Sequence, residues 1–185
     1  TTGAVEITNA SAISSTNFGQ GKTGDISLAS DRITLNDGNI ESQSRGATGG
    51  NIQLTTKDRL LLRNLGNIAA NSGSTEKNGN GGNITINSPL IIALPGDNNI
   101  AADAINGNGG KVNITSQGLF GIKYRPKGQD SLFTNDITAS STFGQSGTVN
   151  ISTPGTDPGK DSTQLPNVPT DASNQIAQTC GASRE

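Results

Sequence analysis

Gly82-Asn83-Ile84-Thr85-Ile86 and Gly110-Lys111-Val112-Asn113-Ile114 are two copies of one unit, Gly-x-[Val/Ile]-x-[Ile/Leu]. Behind a glycine, aliphatic and polar residues alternate, which is the period-two pattern of a strand with one face buried. Four more copies occur: Gly3-Ala4-Val5-Glu6-Ile7, Gly24-Asp25-Ile26-Ser27-Leu28, Gly50-Asn51-Ile52-Gln53-Leu54 and Gly147-Thr148-Val149-Asn150-Ile151. All twelve inward positions are aliphatic, and the central outward ones are Glu6, Ser27, Gln53, Thr85, Asn113 and Asn150.

Around this unit lie three others. A second apolar run follows in most copies, as Ile33-Thr34-Leu35, Leu60-Leu61-Leu62, Leu90-Ile91-Ile92 and Leu119-Phe120-Gly121-Ile122. A third element centres on Ile13, Ile40, Ile68, Ile100 and Ile137, each flanked by small or polar residues. Glycine-rich turns such as Asn78-Gly79-Asn80-Gly81 and Asn106-Gly107-Asn108-Gly109 close the unit, and are expected to supply positive φ at a sharp corner. Strand, corner, strand, corner, strand, glycine turn is one lap of a β-solenoid. The glycines at 3, 24, 50, 82, 110 and 147 are too unevenly spaced for ankyrin or leucine-rich arrays. A β-helix absorbs that scatter as bulges at its corners. The sequence predicts an all-β, right-handed parallel β-helix of about six rungs over residues 1–153, the hand following from chain chirality.

Composition alone leaves folding undecided. Of 185 residues 30% are hydrophobic and 3% aromatic, close to the disordered range, but the net charge of −2 is too small for charge-driven disorder. Thirteen basic against 15 acidic residues leave no basic face for nucleic acid. The apolar runs are too short to span a bilayer. The chain opens with Thr1-Thr2-Gly3, carries no signal peptide, and reads as a piece of something longer. The single Cys180 has no internal disulfide partner.

From Pro154 the alternation stops, and Pro154, Pro158, Pro166 and Pro169 mark residues 154–185 as an extension. Residues 171–178 are expected to form one or two helical turns, with Asp171 or Ser173 as N-cap, and residues 154–180 to fold over the last rung. An uncovered rung would invite edge-to-edge association through the solenoid ends.

Catalytic and cofactor motifs fail one by one. Gly19-Gln20-Gly21-Lys22-Thr23-Gly24 matches the dinucleotide fingerprint in letters, but a strand rather than a helix follows it, and the P-loop's first glycine is replaced by Thr16. Asn78 to Asn83 resembles calcium-binding glycine repeats but lacks the aspartate that hard Ca²⁺ prefers. No cofactor or metal is therefore expected. A carbohydrate-active β-helix would need grouped carboxylates. Those here are scattered, Asp97 with Asp103 and Asp130 with Asp136 being the closest approaches to a cluster. With no histidine and few aromatic platforms, no catalytic residues are assigned. An ice-binding face is excluded by the mixed outward ladder.

The last unit carries an insertion, Lys123-Tyr124-Arg125-Pro126-Lys127-Gly128-Gln129-Asp130-Ser131, with three positive charges and the only tyrosine. Insertions in solenoids map to exposed corners. Lys123, Tyr124, Arg125 and Lys127 are the candidate contacts to a surface glycan or partner protein.

Gly79 to Ile122, Asn135 to Thr153, and the tail from Leu165-Pro166-Asn167 through Asp171-Ala172-Ser173-Asn174-Gln175-Ile176-Ala177-Gln178-Thr179-Cys180 resemble the C-terminal parts of cyanobacterial filamentous-haemagglutinin-like exoproteins. The resemblance implies a two-partner secretion system, with export through an outer-membrane barrel transporter and residence on or release from the cell surface. That family's secretion signal, an Asn-Pro-Asn-Leu-like motif in an N-terminal domain, has no match here, so export would rest on a region absent from this chain. Membership defines a route rather than an activity. The expected function is a non-catalytic structural or adhesive segment, and the runner-up a carbohydrate-active β-helix enzyme with its active site elsewhere.

Overall fold

A computed structural model of the chain describes residues 3–19, 21–73, 78–126 and 131–154. The expected cap and the helix at 171–178 lie outside the described residues. The described residues form twelve strands: Ala4–Asn17, Ile26–Ser44, Ile52–Arg63, Asn67–Ala69, Asn83–Asn87, Leu90–Ala93, Asn99–Ala101, Lys111–Thr115, Gly118–Phe120, Lys123–Tyr124, Asp136–Thr138 and Thr148–Ser152. Every pairing between them is parallel, and no helix occurs among the described residues. The protein is a parallel β-solenoid with three faces.

On the first face Ile26, Ile52, Ile84, Val112 and Val149 stack in one column, with Leu28, Leu54, Ile86, Ile114 and Ile151 beside them. On the second, Val5, Ile33, Leu60, Ile91 and Leu119 stack, and on the third Ile13, Ile40, Ile68, Ile100 and Ile137. These columns fill the tube: Ile33, Leu54, Leu60, Ile84, Ile91, Ile100 and Ile137 are fully buried. Burying such side chains stabilises by roughly 1.5–3 kcal/mol each, which is what holds rungs together when each touches only its neighbours.

Five stacked first-face strands bound four complete turns, so the solenoid has about four turns rather than six. The difference lies in the first glycine unit. Val5 and Ile7 pair with Ile33 and Leu35, which places Gly3–Ile7 on the second face, not the first. Alternation fixes which side chains point inward but not which face the strand occupies. The short interval from Gly3 to Gly24 is therefore a partial lap.

The corners obey different rules. All seven positive-φ residues among those described, Asn9, Ala10, Asp37, Asn64, Leu65, Gly96 and Gly121, lie between the second and third faces. The glycine-rich turns are not among them, which corrects the expectation that these turns need left-handed backbone. Their glycines answer close approach instead. Gly82 N donates to Ala70 O (2.7 Å) and Gly110 N to Ala102 O (2.7 Å), pinching the tube shut within a turn. A Cβ on Gly82 would lie 2.0 Å from Gly50 O, and one on Gly110 1.8 Å from Gly82 O.

Candidate functional surface

Buried polar side chains tie each corner. Between the first and second faces, Thr56 Oγ1 and Ser88 Oγ share a hydrogen bond (2.6 Å), and Ser116 Oγ donates to Gly118 O (2.7 Å). Between the second and third, fully buried Asn98 donates through Nδ2 to Leu94 O (2.8 Å) and to Asn135 Oδ1 (2.9 Å). Asn135 Nδ2 donates in turn to Leu94 O (2.8 Å) and Gly121 O (2.7 Å). A buried amide left without such partners would cost about 1–3 kcal/mol, so this pair fixes how the chain enters the third face. Sequence reading missed both asparagines. Their signal is their place, immediately before the outward Asn99 and Asp136 in successive turns.

The outer side of the third face forms an open groove of about 600 Å³. Asn39, Asn67, Asn99 and Asp136 run along it as one ladder, with Asp97 and Asp103 at its sides and Leu65 and Leu132 among the lining residues. Stacking thus gathers Asp97, Asp103 and Asp136, which are scattered in sequence, onto one surface. Each is already engaged. Asp97 Oδ1 accepts from Asn99 Nδ2 (2.7 Å), and Asp103 Oδ2 accepts from Thr138 Oγ1 (2.8 Å). Buried Asp136 pairs through Oδ1 with Arg125 Nε, and its Oδ2 accepts from Thr134 Oγ1 (2.9 Å) and Ser131 N (3.1 Å). Among the described residues no three His, Cys, Asp or Glu side chains group so as to hold a metal ion. The geometry suits hydrogen bonding along the groove.

The insertion is placed differently from a simple corner bulge. Lys123 and Tyr124 form a short strand against Asp136 and Ile137, so Tyr124 stacks outside Ile137 where a further third-face rung would lie. Lys123 N donates to Asn135 O (3.3 Å) and Arg125 N to Ile137 O (3.1 Å). The chain overshoots by one level and then returns to lay Asp136–Thr138 beneath. Of the candidate contacts, Lys123 and Tyr124 are exposed, Arg125 holds Asp136, and Lys127 lies outside the described residues.

Acidic side chains at the beginning of the solenoid play a comparable stitching part. Asp25 Oδ1 accepts from Asn51 N (2.7 Å), and this bond, with Lys22 beside it, lowers its pKa below the ordinary 3.8. Lys57, bridging at 3.1 Å, lowers that of Asp31, which also accepts from Gly3 N.

No helix among the described residues is long and apolar enough to cross a membrane. No family model matches the chain, and neither a curated protein nor a solved structure matches it significantly.

Proposed function

We propose that this solenoid is a non-catalytic segment of an exported cell-surface protein, a rod whose faces serve attachment. The observation that carries this reading is the commitment of the groove's carboxylates. Asp103 holds the neighbouring rung through Thr138, Asp136 holds the insertion through Arg125, and Asp97 is tied to Asn99 within its own turn. Such a surface keeps a fixed pattern of amides and hydroxyls without offering a reactive group. The resemblance of the repeat and tail to filamentous-haemagglutinin-like exoproteins supports a two-partner route, with an outer-membrane barrel transporter as export partner and the extracellular surface as destination. Lys123 and Tyr124 are the exposed part of the insertion and the proposed contact to a surface glycan or protein; Arg125 is a positioning residue that holds the insertion through Asp136.

A carbohydrate-active enzyme is the second reading, favoured by the gathering of three carboxylates on one groove. One experiment separates them. The full-length protein, incubated with a panel of soluble polysaccharides, is assayed both for retention of the glycan and for new chain ends. Retention without new chain ends is expected. New chain ends that vanish in Asp97→Asn or Asp103→Asn would overturn the attachment reading in favour of catalysis.

A further inference from the structure

The outer side of the second face changes character halfway along the solenoid. Its two outward columns run Arg32, Arg59, Leu90, Gly118 and Thr34, Leu61, Ile92, Phe120. The early rungs are charged and mutually paired: Arg32 bridges Asp58 at 3.5 Å and Arg59 bridges it at 3.4 Å. On the Arg59 rung the second column is already apolar, at Leu61, and the later rungs are apolar in both columns. Leu61, Leu90 and Ile92 are half-buried, Leu94 is 41% exposed and Phe120 57%. The Phe120 ring lies over Gly118 towards Leu90, since a Cβ on Gly118 would meet Phe120 Cε2 at 2.7 Å and Leu90 Cδ1 at 3.2 Å. A strand apolar on both sides, as Leu90-Ile91-Ile92 is, is the mark of a sheet covered on both faces.

Two features select the cover. The patch consists of five side chains, on the order of a few hundred Å². That is short of the roughly 800 Å² per partner that a stable dimer needs. An intramolecular cover has no such threshold, because tethering supplies a high effective concentration. The tether is in the right place. Ser116 N donates to Ser152 O (3.0 Å), so the described chain ends at the corner that leads onto Gly118–Phe120. Residues 155–185 follow, and they contain Leu165, Val168 and Ile176 among prolines. The distance from Phe120 to Leu61 is two rungs, about 10 Å, and a handful of extended residues spans it. A proline-rich segment suits a face whose backbone is already paired, since it brings fewer N–H groups that need acceptors.

We infer that the C-terminal residues 155–185 dock along the outer second face, with Leu165, Val168 and Ile176 covering Phe120, Ile92, Leu90 and Leu61. This differs from an end cap, which would cover Val149 and Ile151 at the last rung. The test uses the full chain with the photoreactive analogue benzoylphenylalanine replacing Phe120, or, in a second protein, Ile151. Docking predicts an intramolecular crosslink from position 120 to a peptide within residues 161–184, and little from position 151. In a second measurement, Phe120→Asp with Ile92→Asp should speed tryptic cleavage after Lys160 about tenfold while leaving the β-sheet circular dichroism unchanged. Both substitutions point outward and spare the core. Crosslinks confined to position 151, a crosslinked dimer, or cleavage after Lys160 equally fast in both proteins would each overturn the inference.

Discussion

Replacing Gly110 by alanine tests why glycine recurs at the head of the first-face strand. Its added Cβ would stand 1.8 Å from Gly82 O and 2.8 Å from the Gly82 carbonyl carbon, atoms of a neighbouring backbone that cannot swing aside. Relief requires the rungs to part locally, which loosens two hydrogen bonds, Gly110 N to Ala102 O (2.7 Å) and Thr148 N to Gly110 O (3.1 Å). Each is worth about 1 kcal/mol, and overpacking adds about 1–3 kcal/mol. Restricting the unfolded chain returns about 0.4–1 kcal/mol. The expected net loss is about 2–4.6 kcal/mol. Gly110 has no positive φ, so no strain term enters. The control is Gly3→Ala, where a Cβ meets nothing within 4 Å, and little change is expected. Urea unfolding followed by circular dichroism measures both. If Gly110→Ala unfolds within 0.5 kcal/mol of the parent protein, close rung approach is not the reason for the glycine.

Three further outcomes are expected. Ile84→Ala, in the fully buried first-face column, should cost about 2–5 kcal/mol in the same unfolding assay, whereas Thr85→Ala on the outer side should stay within about 0.5 kcal/mol. Asn135→Ala removes the side-chain donor to Gly121 O, one of the two donors to Leu94 O and the acceptor for Asn98, and should cost about 2–4 kcal/mol, while Asn36→Ala on the exposed corner should cost far less. Asp25 and Asp31 have pKa values lowered on folding, so their contribution is present above pH 3.8 and is lost as the pH falls through the lowered values. The double variant Asp25→Asn, Asp31→Asn should therefore show a smaller drop in Tm between pH 6 and pH 3 than the parent protein; an equal drop would mean that other groups govern acid unfolding.

The interior columns were legible because their physics is local. Alternation in Gly82–Ile86 states which side chains point inward, and the lone isoleucines at 13, 40, 68, 100 and 137 stack in the register their recurrence implies. The face occupied by Gly3–Ile7 was not legible, because nothing within five residues distinguishes a first-face strand from a second-face one. Corner glycines were recognised, but their reason was mistaken: the steric conflict is with a carbonyl roughly thirty residues away, as for Gly110 and Gly82, and no local dihedral preference reports it. The groove was illegible for the same reason. Asp97, Asp103 and Asp136 come together only through the register that pairs Asn99 with Asp136 and Ala101 with Thr138.

Stacking separates the demands on the two sides of each strand. Most inward positions are held to Ile, Leu and Val by the rung above and the rung below, with alanine where the column narrows, as at Ala93 over Leu62. Outward positions meet no such constraint, and each face has taken its own course. The first carries a polar ladder, Ser27, Gln53, Thr85, Asn113 and Asn150, with Asn150 Nδ2 donating to Asn113 Oδ1 (3.0 Å). The third carries the amide and carboxylate groove, and the second passes from paired charges to an apolar stripe at the step from Arg59 to Leu90. Recognition on such a rod is written along the axis, in residues a full turn apart, rather than in any contiguous motif. A partner that reads one face should therefore be sensitive to substitutions at equivalent positions in several turns and indifferent to neighbours in sequence, which lie on the opposite side of the same strand.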